Sequence, residues 1–323
     1  MFTLGTEALW NDASVTIDPD SADYVYDEFA FFRENCEEYG IEWTGPPTVE
    51  RVEHRLVDGR VMRGLQWGDG PVQLVLVHGG AQNAHTWDTV VLAMGQPPTL
   101  AIDLPGHGHS DRRENGGYDP RSNAEAIAEV MAALAPDAGV MVGMSLGGLT
   151  ANALAATHPE LVRRLVVVDV TPGVDRDKAK DVADFIAGPQ SFPSFGEIFA
   201  RTVEFNPTRT ESSLRRGILH NAHRMPDGSW EWNYDRRQLD GAELPKFGDL
   251  WEDVSATTCP YLLLRGSLSP VVDDADEAEL LRRRPDARVT TVEGAGHSIQ
   301  GDRPLELAEI LAAELASRGA EPK

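Results

Sequence analysis

The sequence predicts an α/β fold, a mostly parallel sheet covered on both faces by helices. Two observations carry this. Short continuous apolar runs recur along the chain: "VQLVLVHGG" (72–80), "TLAID" (99–103), "VMVGM" (140–144), "RRLVVVDV" (163–170) and "YLLLRG" (261–266). Strands buried on both faces read this way. Segments of helical length stand between them, and that alternation implies parallel strands joined by crossover helices. With 323 residues, 41% of them hydrophobic, the chain is long enough for one large domain with an insertion.

The elements follow in order. Residues 1–50 are acidic and irregular, apart from one expected helix on which Val25, Phe29, Phe32 and Cys36 share a face. Such a stripe must be covered, by the body of the protein or by a second copy in a homo-oligomer; the body is the preferred reading. "TGPP" (44–47) ends that segment. Residues 51–70 read as a hairpin turning at Asp58-Gly59. The strand at 72–80 leads to a short helix from Thr86 to Met94, and the strand at 99–103 to a helix from Ser122 to Leu134. After 140–144 a helix begins behind Ser145, and the strand at 163–170 follows. From Thr171 to Asp253 the alternation stops in a polar, partly helical stretch carrying "SWEWNYD" (229–235). The pattern resumes with the strand at 261–266, a helix at 275–284, a strand at 288–293 and a helix at 304–317.

A net charge of −23 argues against nucleic acid and anionic membranes, which need a basic footprint. No apolar run approaches the ~20 residues of a membrane span. The N-terminus "MFTLGTEALWNDASVTIDPD" has neither the basic start nor the apolar stretch of a secretory signal. The two cysteines, Cys36 and Cys259, form neither a disulfide framework nor a metal pattern. The expectation is a cytoplasmic protein acting on a small molecule, with no metal or organic cofactor.

"GMSLG" (143–147) fits G-x-S-x-G between a strand and a helix. In such a turn the serine takes strained dihedrals and glycines on either side make room. It also sits at a helix N-terminus, where unpaired N–H groups favour negative charge. Ser145 is therefore a candidate nucleophile, although the five-residue pattern alone is weak.

Four landmarks in order, "HGG" (78–80), "DLPGHGHSD" (103–111), "GMSLG" (143–147) and "GAGHS" (294–298), together resemble the α/β-hydrolase superfamily over about residues 50–318. The resemblance implies a mostly parallel eight-stranded sheet covered by helices, with a helical cap inserted after the sixth strand. On that pattern residues 51–170 and 254–318 form the core and 171–253 the cap, while 1–50 have no counterpart. It implies a catalytic triad in which Ser145 is the nucleophile and His297 the base. It also implies an oxyanion hole from the N–H groups of Leu146 and Gly80, with Ala81 as the neighbour if the loop is shifted.

His78 and His107 match positions that stabilise their loops. His85, His220 and His223 are assigned to the surface, with site lining as the alternative.

The acid departs from the common pattern. Its usual slot, three residues after Gly266, holds Ser269, followed by Pro270. Neither can stabilise an imidazolium as a carboxylate does. Asp169, at the end of the sixth strand, is the candidate, because α/β sheets keep their sites at the C-terminal ends of strands. Asp273 and Asp274 remain alternatives.

The chemistry implied is a serine esterase cleaving a carboxylic ester or lactone of a small, largely apolar substrate through an acyl-enzyme. The alternatives are hydrolysis of a carbon–carbon bond in a diketone-type substrate, or a non-catalytic receptor for a small molecule. Trp87, Trp230 and Trp232, with Phe195 and Phe199, are candidate substrate contacts, set against a role in the cap's own core.

Overall fold

The structure is a computed structural model that describes residues 18–114, 116–235 and 247–317. The N-terminal helix α1 (Phe32–Tyr39) is followed by β1 (Val49–Arg55) and β2 (Val61–Trp67), which pair antiparallel around the Asp58-Gly59 turn. Then come β3 (Leu74–Val77), a 3₁₀ turn (Ala84–Trp87), α2 (Asp88–Ala93), β4 (Thr99–Ile102) and α3 (Pro120–Leu134). The sheet continues with β5 (Val140–Met144), α4 (Leu146–Thr157) and β6 (Leu165–Val168).

After β6 the insertion folds as α5 (Lys180–Ile186), β7 (Ser191–Phe192), α6 (Phe195–Phe205), α7 (Glu211–Asn221), β8 (Ala222–Arg224) and β9 (Trp230–Trp232). Next are α8 (Leu250–Ala256), β10 (Tyr261–Gly266), α9 (Asp274–Arg283), β11 (Arg288–Val292), α10 (Ile299–Asp302) and α11 (Pro304–Ala316).

Eight strands form one sheet in the order β1-β2-β4-β3-β5-β6-β10-β11. All neighbours from β4 to β11 run parallel, and β2 joins β4 antiparallel. The central strands are short, β3 and β6 are wholly apolar, and every residue of β3, β4 and β6 is buried, Thr99 of β4 with its hydroxyl donating to the Pro97 carbonyl. Two apolar clusters, one on each face, sandwich the sheet. Among the described residues no helix is long and apolar enough to cross a membrane.

The described residues change one expectation and add to others. Helix α1 starts only at Phe32, so Val25 and Phe29 lie outside it and Val25 is 84% exposed. Phe32 and Cys36 are buried beneath the sheet beside Trp67, covered by the chain's own body as the preferred reading has it. The insertion carries a small antiparallel sheet, β7-β9-β8, that its polar composition does not announce. Helix α8 packs Leu250, Trp251 and Val254 into the main core.

Candidate functional site

Strand β5 delivers Ser145 to the sheet's C-terminal edge in a sharp turn. Ser145 has φ 52° and ψ −121°, a conformation that side-chain-bearing residues rarely adopt. The turn closes only because its flanks are glycine. A Cβ on Gly147 would lie 2.4 Å from the carbonyl oxygens of Val77 and His78, and one on Gly143 would lie 2.3 Å from the Gly147 carbonyl oxygen. Leu146 is the first residue of α4, so its N–H has no acceptor within the helix.

His297 stands in the loop between β11 and α10. The Ser145 Oγ–H donates to His297 Nε2 at 3.1 Å, and the His297 Nδ1–H donates to Asp169 Oδ2 at 2.8 Å. Asp169 follows β6 with φ 51° and is fully buried. Its other oxygen accepts the Gly266 N–H at 2.8 Å. The Ser269 hydroxyl donates to Oδ2 beside the histidine. The carboxylate is thus surrounded by three donors among the described residues.

Asp273 and Asp274 are elsewhere. Asp273 caps α9 in a reciprocal capping box with Asp276, and Asp274 is exposed beside Arg265. The Ser269–Asp169 contact was not legible in the sequence. Ser269 occupies the usual acid slot, and a hydroxyl there gains meaning only once an acid is known to face it.

A cleft of about 260 Å³ opens over Ser145 and His297. Phe185, Ile186, Phe205, Leu268 and Val271 line it, as do Gly80 and Ala81 of the loop after β3. Ala81 has φ 58°, so this loop too holds a strained backbone next to the serine. A polar cavity of about 130 Å³ adjoins the cleft and shares Gln82 and Ser298 with it.

The reading of the tryptophans as substrate contacts is corrected. Trp87 is fully buried in the core beneath the sheet. Trp230 is 2% exposed in the insertion's core, packs edge-on against Phe195 and donates from Nε1 to Asp20 at 2.8 Å. Trp232 belongs to the same core and reaches only the adjoining polar cavity. Phe195 and Phe199 also pack in that core. None of the five lines the cleft over Ser145. Trp230→Ala should therefore lower stability by about 3–5 kcal/mol. Chemical denaturation read by fluorescence checks this, and a stable variant with altered ester preference would restore the contact reading.

His78 and His107 are buried and stabilise loops. His78 Nε2 accepts the Leu104 N–H at 2.9 Å, its Nδ1–H donates to the Gly79 carbonyl at 2.7 Å, and burial with His107 alongside pushes its pKa down to about 3. His223 is exposed. His85 and His220, assigned to the surface, are instead buried and stacked on each other. Burial holds His220 well below the usual histidine range. Burial acts the same way on His85, but Asp88 and Glu28 outweigh it and raise the pKa to about 9.

Residues 74–310 match the Alpha/beta hydrolase family. The chain belongs to that family. Among its relatives is Esterase Rv0045c of Mycobacterium tuberculosis, 45% identical over 300 residues that cover 90% of this chain and 97% of that protein. A solved structure of that esterase, described together with its inhibition by transition metals, matches with a TM-score of 0.81 at 44% identity, covering 91% of this chain and all of the other. The pimeloyl-[acyl-carrier protein] methyl ester esterase of Citrobacter koseri is 32% identical over 269 residues, covering 78% of this chain and 98% of its own. Within the family, the departure noted in the sequence remains: Ser269 stands in the common acid slot.

Proposed function

We infer that this α/β hydrolase is a serine esterase that cleaves carboxylic esters through an acyl-enzyme. The unbroken relay from Ser145 through His297 to Asp169 carries the reading. Its esterase relatives support the choice of bond.

In the first step His297 Nε2 takes the Ser145 proton as Oγ attacks the ester carbonyl. Asp169 holds Nδ1–H, which keeps the correct tautomer, and stabilises the imidazolium. The oxyanion develops between the N–H of Leu146 and that of Gly80 or Ala81. His297 then returns the proton to the departing alcohol. Water, deprotonated by the same nitrogen, releases the acid and frees Ser145.

The phenylalanines of the cleft favour a small, largely apolar substrate. Phe185→Ala should shift the ratio of activity on bulky to short esters by about tenfold. A panel of p-nitrophenyl esters of rising chain length reads this directly. A uniform loss across the panel would remove Phe185 from the substrate pocket.

A fluorophosphonate tests the mechanism as a whole. It should label one serine stoichiometrically, and peptide mapping should find the adduct on Ser145. Labelling elsewhere, or none with an intact fold, would overturn the acyl-enzyme reading.

A further inference from the structure

Three buried side chains meet where the core, the insertion and the N-terminal segment converge. His85 stands in the 3₁₀ turn after β3, Asp88 opens α2, and His220 lies in the last turn of α7. None is more than 7% exposed. Asp88 Oδ2 lies 2.8 Å from His85 Nδ1 and 3.9 Å from His220 Nε2. Two atoms of this group, Asp88 Oδ1 and His220 Nε2, are buried with no hydrogen-bond partner among the described residues. A buried acceptor left unpaired is unfavourable and calls for an explanation. All three residues border the polar cavity beside the cleft, from which a solvent molecule or an ion could reach them.

The far nitrogens are already engaged. His85 Nε2 faces Glu28 Oε2 at 3.3 Å, and His220 Nδ1 faces Tyr26 Oη at 2.7 Å. Imidazoles that bind metals donate their other N–H to an oxygen in this way, which fixes the tautomer and aims the ring. Here both outer partners come from the N-terminal segment, which the hydrolase reaction does not use.

Two neighbouring arginines are paired with carboxylates. Arg51 pairs with Glu28 and Asp103, and Arg216 with Glu34 and Glu38. We propose that His85, Asp88 and His220 form a binding site for a divalent transition metal such as zinc, which fastens α7 of the insertion to α2 of the core.

Two imidazoles and a carboxylate, with water in the fourth position, suit zinc and similar ions. One donor atom from each residue falls within a 4.8 Å span. Ligands about 2 Å from a tetrahedral ion stand roughly 3.3 Å apart, so the widest pair must draw in by up to about 1.5 Å while Asp88 and His85, now 2.8 Å apart, open slightly. The two rings stack 3.8 Å apart at 10°, so they must also tilt for their in-plane lone pairs to converge.

The full chain, stripped with a chelator, should be titrated with Zn²⁺ against a chromogenic zinc indicator. One equivalent should bind in the micromolar range or tighter. His220→Gln and Asp88→Asn should each weaken binding at least about tenfold, and Tyr26→Phe, which changes only an outer partner, by about tenfold. Co²⁺ should give the visible absorption of a four-coordinate site in the wild type and lose it in His220→Gln. Tyr26→Phe keeps the test intact if a ligand variant fails to fold. No binding by the wild type, or equal affinity in the wild type and all folded variants, would overturn the proposal. So would zinc binding that is lost in His297→Ala but kept in His220→Gln, because the ion would then sit on the relay.

Discussion

Ser145→Ala should lower kcat for ester hydrolysis by about 10⁴-fold or more and leave the fold intact. Among the described residues the serine's side chain makes one hydrogen bond, to His297, and Ser145 is only partly buried, so its loss removes little packing. Alanine also retains a Cβ, so it adds no new clash to a turn that already holds a residue at φ 52°. In the proposed acyl-enzyme route the chemistry depends on that one oxygen, since Oγ is the atom of the relay that would form a bond to the substrate. Turnover of a short p-nitrophenyl ester, with circular dichroism and a melting curve on the same sample, makes the comparison. Residual activity near the wild-type level in a folded variant would refute the acyl-enzyme route.

Asp169→Asn should cost about 10⁴-fold in kcat, with a much smaller change in KM. The carboxylate accepts from three donors: the Gly266 N–H, the Ser269 hydroxyl and the His297 Nδ1–H. An amide of the same shape must turn its NH₂ toward at least one of them. If it faces His297, the imidazole swaps tautomer and its Nε2 becomes a donor that cannot take the serine proton. If it faces Gly266, a buried N–H is left against another N–H. In either case no negative charge remains to stabilise the imidazolium. Ser269→Ala removes one charge-assisted hydrogen bond and should cost about 10- to 100-fold. Asp273→Asn and Asp274→Asn should retain activity within a few fold, since one caps a helix and the other is exposed beside Arg265. If Asp169→Asn kept most activity and Asp273→Asn lost it, the acid would have to be reassigned.

These contrasts mark where the sequence was readable. The core strands show as apolar runs because both faces are buried; β3 and β6 are unbroken, and β4 departs only at Thr99. "GMSLG" was legible because the turn demands glycine at specific offsets, and a chain with side chains there would collide with its own carbonyls. The N-terminal stripe was legible only in part. Phe32 and Cys36 do share a buried helical face, but Val25 fits the spacing and points to solvent, because the helix begins seven residues later. Spacing reports a face only where a helix exists. The tryptophans were a similar case. An aromatic side chain in an insertion can serve the pocket or the insertion's own core, and composition does not separate the two.

The succession of strands along the chain, the glycine-flanked turn that carries Ser145 and the loop that carries His297 were legible in the sequence, because each depends on residues that are neighbours along the chain. Which carboxylate meets His297 was decided by the tertiary structure. Asp169 and His297 are 128 residues apart, and Ser269 reaches the same carboxylate across 100. Their meeting depends on the direction in which three separate loops leave adjacent strands. The pairing of His85 with His220 is of the same kind. It joins a turn in the core to a helix in the insertion, and a histidine carries no local mark of whether it will face water or another ring. Local periodicity encodes which face of an element is buried; contacts between distant loop ends exist only after the sheet has been assembled and the insertion has closed over it.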